Sequence, residues 1–214
     1  MEISPEIELT EDGSATLVHP LLGDRYHSTR GAIGESKHIF IDNGLRLINK
    51  KKIKILDAGF GSGLNALLTL WYAEENGLHI DYHTVELYPI DIPTAGRLGY
   101  TDKKEFMQLH KAQWGSETRI TDFFTITKSE TDLADGEFGD GFDLVYFDAF
   151  SPDTQPELWS EEMFRKIYGC MTEGGVLVTY SAKGDVKRAL RNAGFEVHRL
   201  QGALGKRHML KATK

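Results

Sequence analysis

Cysteine is nearly absent from this chain: Cys170 is the only one among 214 residues. A lone thiol excludes an internal disulfide, a CxxC redox pair and any metal site built on several sulfurs, and no metal is expected. Long apolar runs are missing as well. No segment approaches the length of apolar chain that spans a bilayer, and the first eight residues are acidic, without the continuous apolar run of a leader. A soluble cytoplasmic protein with no membrane partner is therefore the default expectation. A surplus of positive charge is missing too. The formal net charge is −7, so overall composition does not point to nucleic acid and any basic surface must be local. Repeats and low-complexity tracts are also absent.

What is present is unevenly distributed. Residues 183–214 hold nine Lys and Arg against Asp185 and Glu196, a local charge of about +7 that leaves about −14 for the remainder. Such a cluster is either a solvated helix face or a contact for a polyanion. Apolar residues make up 40% of the chain, enough for one large core, and the length fits one α/β domain. Residues 1–50 read as an N-terminal β extension packed on a main domain at 51–214. The extension contains a small hairpin around Glu11-Asp12-Gly13-Ser14, expected to add to the main sheet. A polar segment, Tyr26 to Ile41, follows, and its density of titratable groups (Tyr26, His27, Glu35) marks it as a functional loop. Helical spacing returns over Ile39 to Ile48.

The most specific stretch is Ile53 to Asn65, a short apolar strand running into Gly59-Phe60-Gly61-Ser62-Gly63 and then into a helix from Leu64. Glycines at such a junction let backbone approach a ligand, and the helix amino end adds partial positive charge. Leu64 stands where a dinucleotide fingerprint carries its third glycine, which favours a nucleoside-containing ligand other than NAD. Leu64, Leu67, Leu68, Trp71 and Tyr72 define the first crossover helix, which Gly77 ends. A second strand, Ile80 to Glu86, finishes on an acid 23 residues past Gly63, the interval at which a carboxylate bonds a ribose diol.

Two short helices are expected between Ile90 and Trp114, then a third strand at Phe123 to Lys128. Asp132 follows that strand, where it can accept from an adenine amino group. Asp122 is its rival but precedes the strand, at the opposite end. A buried strand ending at Phe147 delivers Asp148 to the same edge as the glycine turn, with Ala149-Phe150-Ser151-Pro152 as a stiff loop beside it. Glu157 to Met171 reads as a helix ended by Glu173-Gly174-Gly175, Val176 to Tyr180 as a fifth strand, and Asp185 to Ala193 as a helix. Phe195 to Leu200 and His208 to Ala212 read as a closing hairpin. The result is an α/β sheet with one antiparallel strand and four ligand groups along one edge. That arrangement resembles a class I S-adenosylmethionine-dependent methyltransferase, a Rossmann-like fold with a terminal antiparallel hairpin.

A more specific resemblance rests on ordered motifs: Gly59-Phe60-Gly61-Ser62-Gly63-Leu64-Asn65, Phe147 to Pro152 with Pro156-Glu157-Leu158-Trp159, Thr179 to Gly184, Ala193-Gly194-Phe195 and Gly205 to Met209. With Tyr26-His27-Ser28 and Glu35-Ser36, they make nearly the whole chain similar to the methyltransferase domain of the bacterial MnmC family, in its stand-alone, MnmD-like form. The resemblance implies S-adenosyl-L-methionine as cofactor, held by Asp57, Gly59, Phe60, Gly61, Gly63, Asn65, Glu86, Asp132 and Asp148. It implies methylation of 5-aminomethyluridine at the wobble position of transfer RNA, without the FAD oxidase part of bifunctional members. Asp148 would orient the amine, with solvent or a Tyr26/His27 relay taking the proton. Glu35, Phe150, Lys183, Lys187, Arg188, Lys206 and Arg207 would meet the anticodon stem-loop. A separate oxidase, or the enzymes that make the aminomethyl precursor, would be functional partners. One departure is Thr131-Asp132, where the family commonly has Gly-Asp. The alternatives are a class I methyltransferase acting on a small amine or a protein, and a non-catalytic RNA-binding module.

Overall fold

The structure, a computed structural model, describes residues 5–214; the first four residues of the acidic start and of the 1–50 extension lie outside the described residues. β1 (Glu6–Leu9) and β2 (Ala15–Val18) form an antiparallel hairpin. In its turn the Asp12 carboxylate accepts from Thr10 Oγ1 at 2.6 Å and from the Ser14 amide at 3.0 Å. The hairpin is a sheet of its own rather than the expected addition to the main sheet. The physical reason is that β2 turns Ala15 and Leu17 into the core while the Leu17 carbonyl accepts from the Tyr26 amide at 2.9 Å, so its free edge is already taken. α1 (Ala32–Ser36) begins earlier than the expected helix at Ile39 and runs on into a π-helical turn, Lys37–Asp42, and a 3-10 turn, Leu45–Leu47. Gly31 and Gly34 weaken the helical pattern at this start, yet Ile39, Phe40 and Ile41 are buried.

The main unit then alternates strands and helices: β3 (Lys52–Ala58), α2 (Leu64–Asn76), β4 (His79–Glu86), α3 (Ile92–Arg97), α4 (Lys104–Lys111), β5 (Glu117–Thr121), β6 (Phe124–Glu130), β7 (Phe142–Phe147), α5 (Glu161–Cys170), β8 (Met171–Thr179), α6 (Gly184–Asn192), β9 (Glu196–Leu200) and β10 (Met209–Thr213). Its eight strands lie in the order β5-β6-β4-β3-β7-β8-β10-β9. β6, β4, β3, β7 and β8 are mutually parallel. β10 runs antiparallel to both β8 and β9, as the terminal hairpin requires. β5 is a second antiparallel strand, paired with β6, where the sequence reading counted one. Its residues, Glu117-Thr118-Arg119-Ile120-Thr121, lie on the sheet's outer edge and are exposed or half-buried, so no apolar alternation announces it.

Successive residues of the central strands feed opposite layers. Ile55, Leu144 and Tyr146 join a core with α2, α4 and the N-terminal segment, whereas Leu56, Val145 and Phe147 join one with α5 and α6. Burial on both faces explains why these strands read as continuous apolar runs. α5 starts four residues later than expected, because Pro156–Trp159 form a separate 3-10 turn and Ser160 caps the helix by accepting from the Met163 amide at 3.2 Å. Glu173-Gly174-Gly175 lies inside β8, at a register shift against β7, instead of ending the helix. Among the described residues, no helix is long and apolar enough to cross a membrane.

The Ser160 cap is testable. Ser160→Ala should lower unfolding free energy by about 1 kcal/mol in urea titration, whereas a helix beginning at Glu157 would leave stability unchanged.

Candidate active site

β3 pairs with β4 on one side and β7 on the other, so successive crossovers leave it in opposite directions. Crevices for ligands open at such a reversal, at the carboxyl ends of the strands. A cavity of about 380 Å³ lies there, lined from the ends of β3, β4, β6 and β7 and from residues 24–29 and Glu35 of the N-terminal segment.

The glycine turn forms its floor. Gly61 has φ 53°, and a Cβ there would stand 3.0 Å from Cδ1 of Tyr26. Gly63, at φ 75°, would place a Cβ 2.7 Å from Nε2 of His110, so close packing above and below requires glycine. The turn's amides are not all free for a ligand. Those of Gly59 and Phe60 donate to the Val85 carbonyl at 3.1 and 3.2 Å, and that of Gly61 donates to Glu86 Oε2 at 2.8 Å. Among the described residues, no side chain caps the amino end of α2.

The acids differ in placement. Glu86 lines the cavity, its other oxygen accepting from the Tyr88 amide at 2.8 Å. Burial raises its pKa, and the backbone donors oppose that rise. Asp132 lines the cavity beyond β6 and accepts from the Ala134 amide at 2.8 Å, whereas Asp122 is exposed in the β5–β6 turn and bonded by Arg119 at 2.7 Å. Asp148 lines the cavity and accepts from Asn65 Nδ2 at 2.8 Å. Burial, and then the Asp57 carboxylate, raise Asp148 well above the usual carboxylate range. Asp57 lies beneath the cavity: Tyr82 donates to its Oδ2 at 2.8 Å, and burial pushes its pKa up to about 8. Gly63 also lies below the cavity, while Gly59, Phe60, Gly61 and Asn65 line it.

The N-terminal segment covers the other side. The Tyr26 ring meets Phe150 edge-on at 5.1 Å between centroids, and burial followed by the Glu86 carboxylate raises its phenol pKa. His27 Nε2 pairs with Ser62 Oγ at 2.8 Å, and burial lowers its pKa to about 4, so it is neutral at physiological pH. Glu35 accepts from the Ser28 amide at 2.8 Å and pairs with Lys206. Of the five basic residues singled out in the sequence, Lys206 alone lines the cavity. Lys183 pairs with Asp153 and Arg188 with Asp185, Arg207 is exposed, and Lys187 is half-buried on α6.

Several participants escaped the sequence reading. Asp24 accepts from the Ser151 amide at 3.2 Å and Thr154 Oγ1 at 2.8 Å, tying the N-terminal segment to the loop that carries Phe150. His19 packs edge-on against Tyr88 and Phe150 at 4.9 and 5.2 Å. Lys128, buried on β6, donates to the Leu109 and His110 carbonyls at 3.0 and 2.7 Å and lies 4.5 Å from the Trp114 ring centroid. Nothing local in the sequence marks these contacts, because each joins segments distant along the chain. Among the described residues, no group of three or more His, Cys, Asp or Glu is placed to hold a metal ion.

Comparison with known proteins places this geometry. A family model described as S-adenosyl-L-methionine-dependent methyltransferase matches residues 104–214. The chain belongs to that family. The methyltransferase is 32% identical to the tRNA 5-methylaminomethyl-2-thiouridine biosynthesis bifunctional protein MnmC of Burkholderia thailandensis, over 94% of this chain and 33% of that protein. The MnmC protein of Burkholderia mallei (strain NCTC 10229) is 31% identical over 94% of this chain and 34% of its own length. The methyltransferase thus spans about a third of the curated relatives it matches. The crystal structure of MNMC2 from Aquifex aeolicus superposes with a TM-score of 0.77 at 28% identity, covering 99% of this chain and 71% of that one. Spermidine synthase from Thermotoga maritima shares the fold, with a TM-score of 0.54 at 12% identity.

The residues present suit an S-adenosylmethionine ligand. Glu86 presents a fixed carboxylate to the cavity, and among the described residues the buried Oδ1 of Asn65 has no hydrogen-bond partner. Phe60, Leu87 and Leu133 add apolar wall for a flat ring.

Beneath the turn, burial lowers His110 to about 4, against about 6.5 unfolded. The unfolded chain then binds the extra proton as pH falls from 6.5 toward 4, so stability drops with falling pH. Between pH 7 and 5 this histidine should account for a loss of about 2 kcal/mol. His110→Asn should flatten that part of the pH dependence in urea titrations.

Proposed function

We propose that this methyltransferase methylates the primary amine of 5-aminomethyluridine at the wobble position of transfer RNA, producing 5-methylaminomethyluridine in the cytoplasm. The observation that carries the reading is Asp148, a carboxylate fixed by Asn65 at 2.8 Å in a cavity it shares with the glycine turn, beside Phe150. The names of the MnmC relatives supply the tRNA pathway. The aminomethyl group would be supplied by a separate oxidase or by the enzymes that build the precursor.

Glu86 would hold the ribose of S-adenosylmethionine, Asp132 would accept from its adenine, and Asn65 with the turn's backbone would hold its amino acid end. When bound, that group supplies a methyl activated on sulfonium and leaves as a neutral thioether. The protein's task is then positioning and proton control. An alkylamine has a pKa of about 10, so one proton must leave the nitrogen before it attacks. Asp148 accepts a hydrogen bond from the amine and aims its lone pair. Burial makes the Asp148 carboxylate poorly satisfied, and an entering ammonium offsets that penalty, giving the site its preference for amines. Tyr26 and the neutral His27 close the cavity and can relay the proton to solvent. Phe150 offers a face on which a splayed base stacks. The proposed transfer calls on neither FAD nor a metal ion. Lys183, Lys187, Arg188 and Arg207 would meet RNA phosphates outside the cavity.

Asp148→Asn should lower single-turnover methylation of aminomethyluridine tRNA at least about 100-fold, with S-adenosylmethionine affinity by calorimetry within about threefold of wild type; retained turnover rejects the assignment. Reversing Lys183 and Arg207 to Glu should weaken tRNA binding and reduce the slope of log affinity against log salt by about 1 per lost phosphate contact.

A further inference from the structure

We propose that Lys206 is a positioning charge for the reacting amine: its ammonium, held at the cavity rim between Glu35 and the Tyr180 ring, favours the neutral, nucleophilic form of the substrate nitrogen. The inference rests on the aminomethyl reading above and answers a difficulty in it. A carboxylate such as Asp148 attracts the amine but also stabilises its protonated, unreactive form. A second charge of opposite sign is needed close by.

Lys206 is built for that place. It is part of the loop between β9 and β10, which is pinned to the N-terminal segment: Arg30 Nη1 donates to the Leu204 carbonyl at 2.9 Å, and His38 Nε2 lies 2.9 Å from the Gln201 carbonyl. Leu204 holds a left-handed φ of 45° within it, and the Lys206 amide closes the turn on the Ala203 carbonyl at 2.8 Å. Its Nζ lies 5.4 Å from the Tyr180 ring centroid, and the Tyr180 hydroxyl donates at 2.9 Å to the carbonyl of Ala149, the neighbour of Asp148. The carboxylate on its other side, Glu35, is only 6% exposed. The Lys206 side chain itself is 40% exposed, at the cavity rim. Burying a carboxylate to hold a lysine at a cavity is costly, and it makes sense where the charge serves that cavity. The titratable and charged groups around Lys206 are Glu35, His27 and Arg30 from the N-terminal segment, Asp148 and Tyr180 from the ends of β7 and β8, and Asp24 on the same wall; Asp148 feels the Glu35 carboxylate, which raises its pKa, ahead of Lys206, which lowers it.

The test is the pH dependence of single-turnover methylation, using full-length protein, S-adenosylmethionine and an anticodon stem-loop RNA bearing 5-aminomethyluridine. Removing the cation in Lys206→Met should move the acid limb up by about one pH unit, a roughly tenfold loss on the acid side with the alkaline plateau kept. Glu35→Gln, which leaves the cation unopposed, should move the limb the other way, and Lys206→Arg should restore the wild-type profile. An unmoved limb in both Lys206→Met and Glu35→Gln overturns the inference. So does a uniform loss in Lys206→Met accompanied by a reduced salt slope, which would mark Lys206 as a phosphate contact. Wild-type protein that methylates this RNA at no pH overturns the aminomethyl reading and this inference with it, whereas methylation with an unmoved limb overturns the inference alone.

Discussion

The arrangement of the site depends on how the glycine turn is tied to the end of β4. The amides of Gly59 and Phe60 share the Val85 carbonyl, and that of Gly61 reaches Glu86, whose second oxygen holds the Tyr88 amide. One carboxylate thus fixes two loops from adjacent parallel strands. With the turn held down, Tyr26 can pack over Gly61 and His110 under Gly63 at distances no side chain at those positions would permit. The same anchoring starts α2 where Asn65 reaches Asp148, so the acid at the end of β7 is set by the turn at the end of β3.

That geometry concentrates acids where water is scarce. Asp57, Glu86 and Asp148 all have raised pKa values, with burial the first cause in each. Two cationic side chains, Lys206 and Arg25, are among the residues that line the cavity, and Arg25 is paired with Glu8. Burial that penalises the ionised form of those three acids is relieved when a cation enters beside them, and a sulfonium and an alkylammonium are both cations. The basic charge of residues 183–214 lies largely outside, where Lys183 and Arg188 are already paired with acids. A long polyanion would therefore be met at the rim, and charge of the opposite sign would be drawn inside.

Legibility in the sequence followed burial. β7 was readable because a strand covered on both faces is apolar throughout, β3 because its apolar run leads into the glycine turn, and β4 by its alternation; Glu86 closes β4, Asp148 directly follows β7, and Asp132 stands two residues past β6. β5 was not, since an edge strand of polar residues carries no alternation. Nor was the start of α5, where Pro156–Trp159 have helical composition and Ser160 interrupts them as a cap. Asp57 shows the limit within a motif: it adjoins the glycine turn in sequence, but the pleat turns its side chain under the sheet toward Tyr82.

By itself the sequence determined the fold class, the strand ends that meet at one edge and the glycine positions that bring backbone to a ligand, because periodicity and turn chemistry are local properties. The tertiary structure decided which of those groups face one another. Lys206 and Arg207 are exposed neighbours in a basic tail, yet of the two only Lys206 lines the cavity, paired with Glu35. Tyr26 and His27 became cavity walls because residues 24–29 fold back over the turn and are tied there through Asp24. Such pairings join segments far apart in the chain, and only the folded backbone sets their distance, their burial and hence their charge.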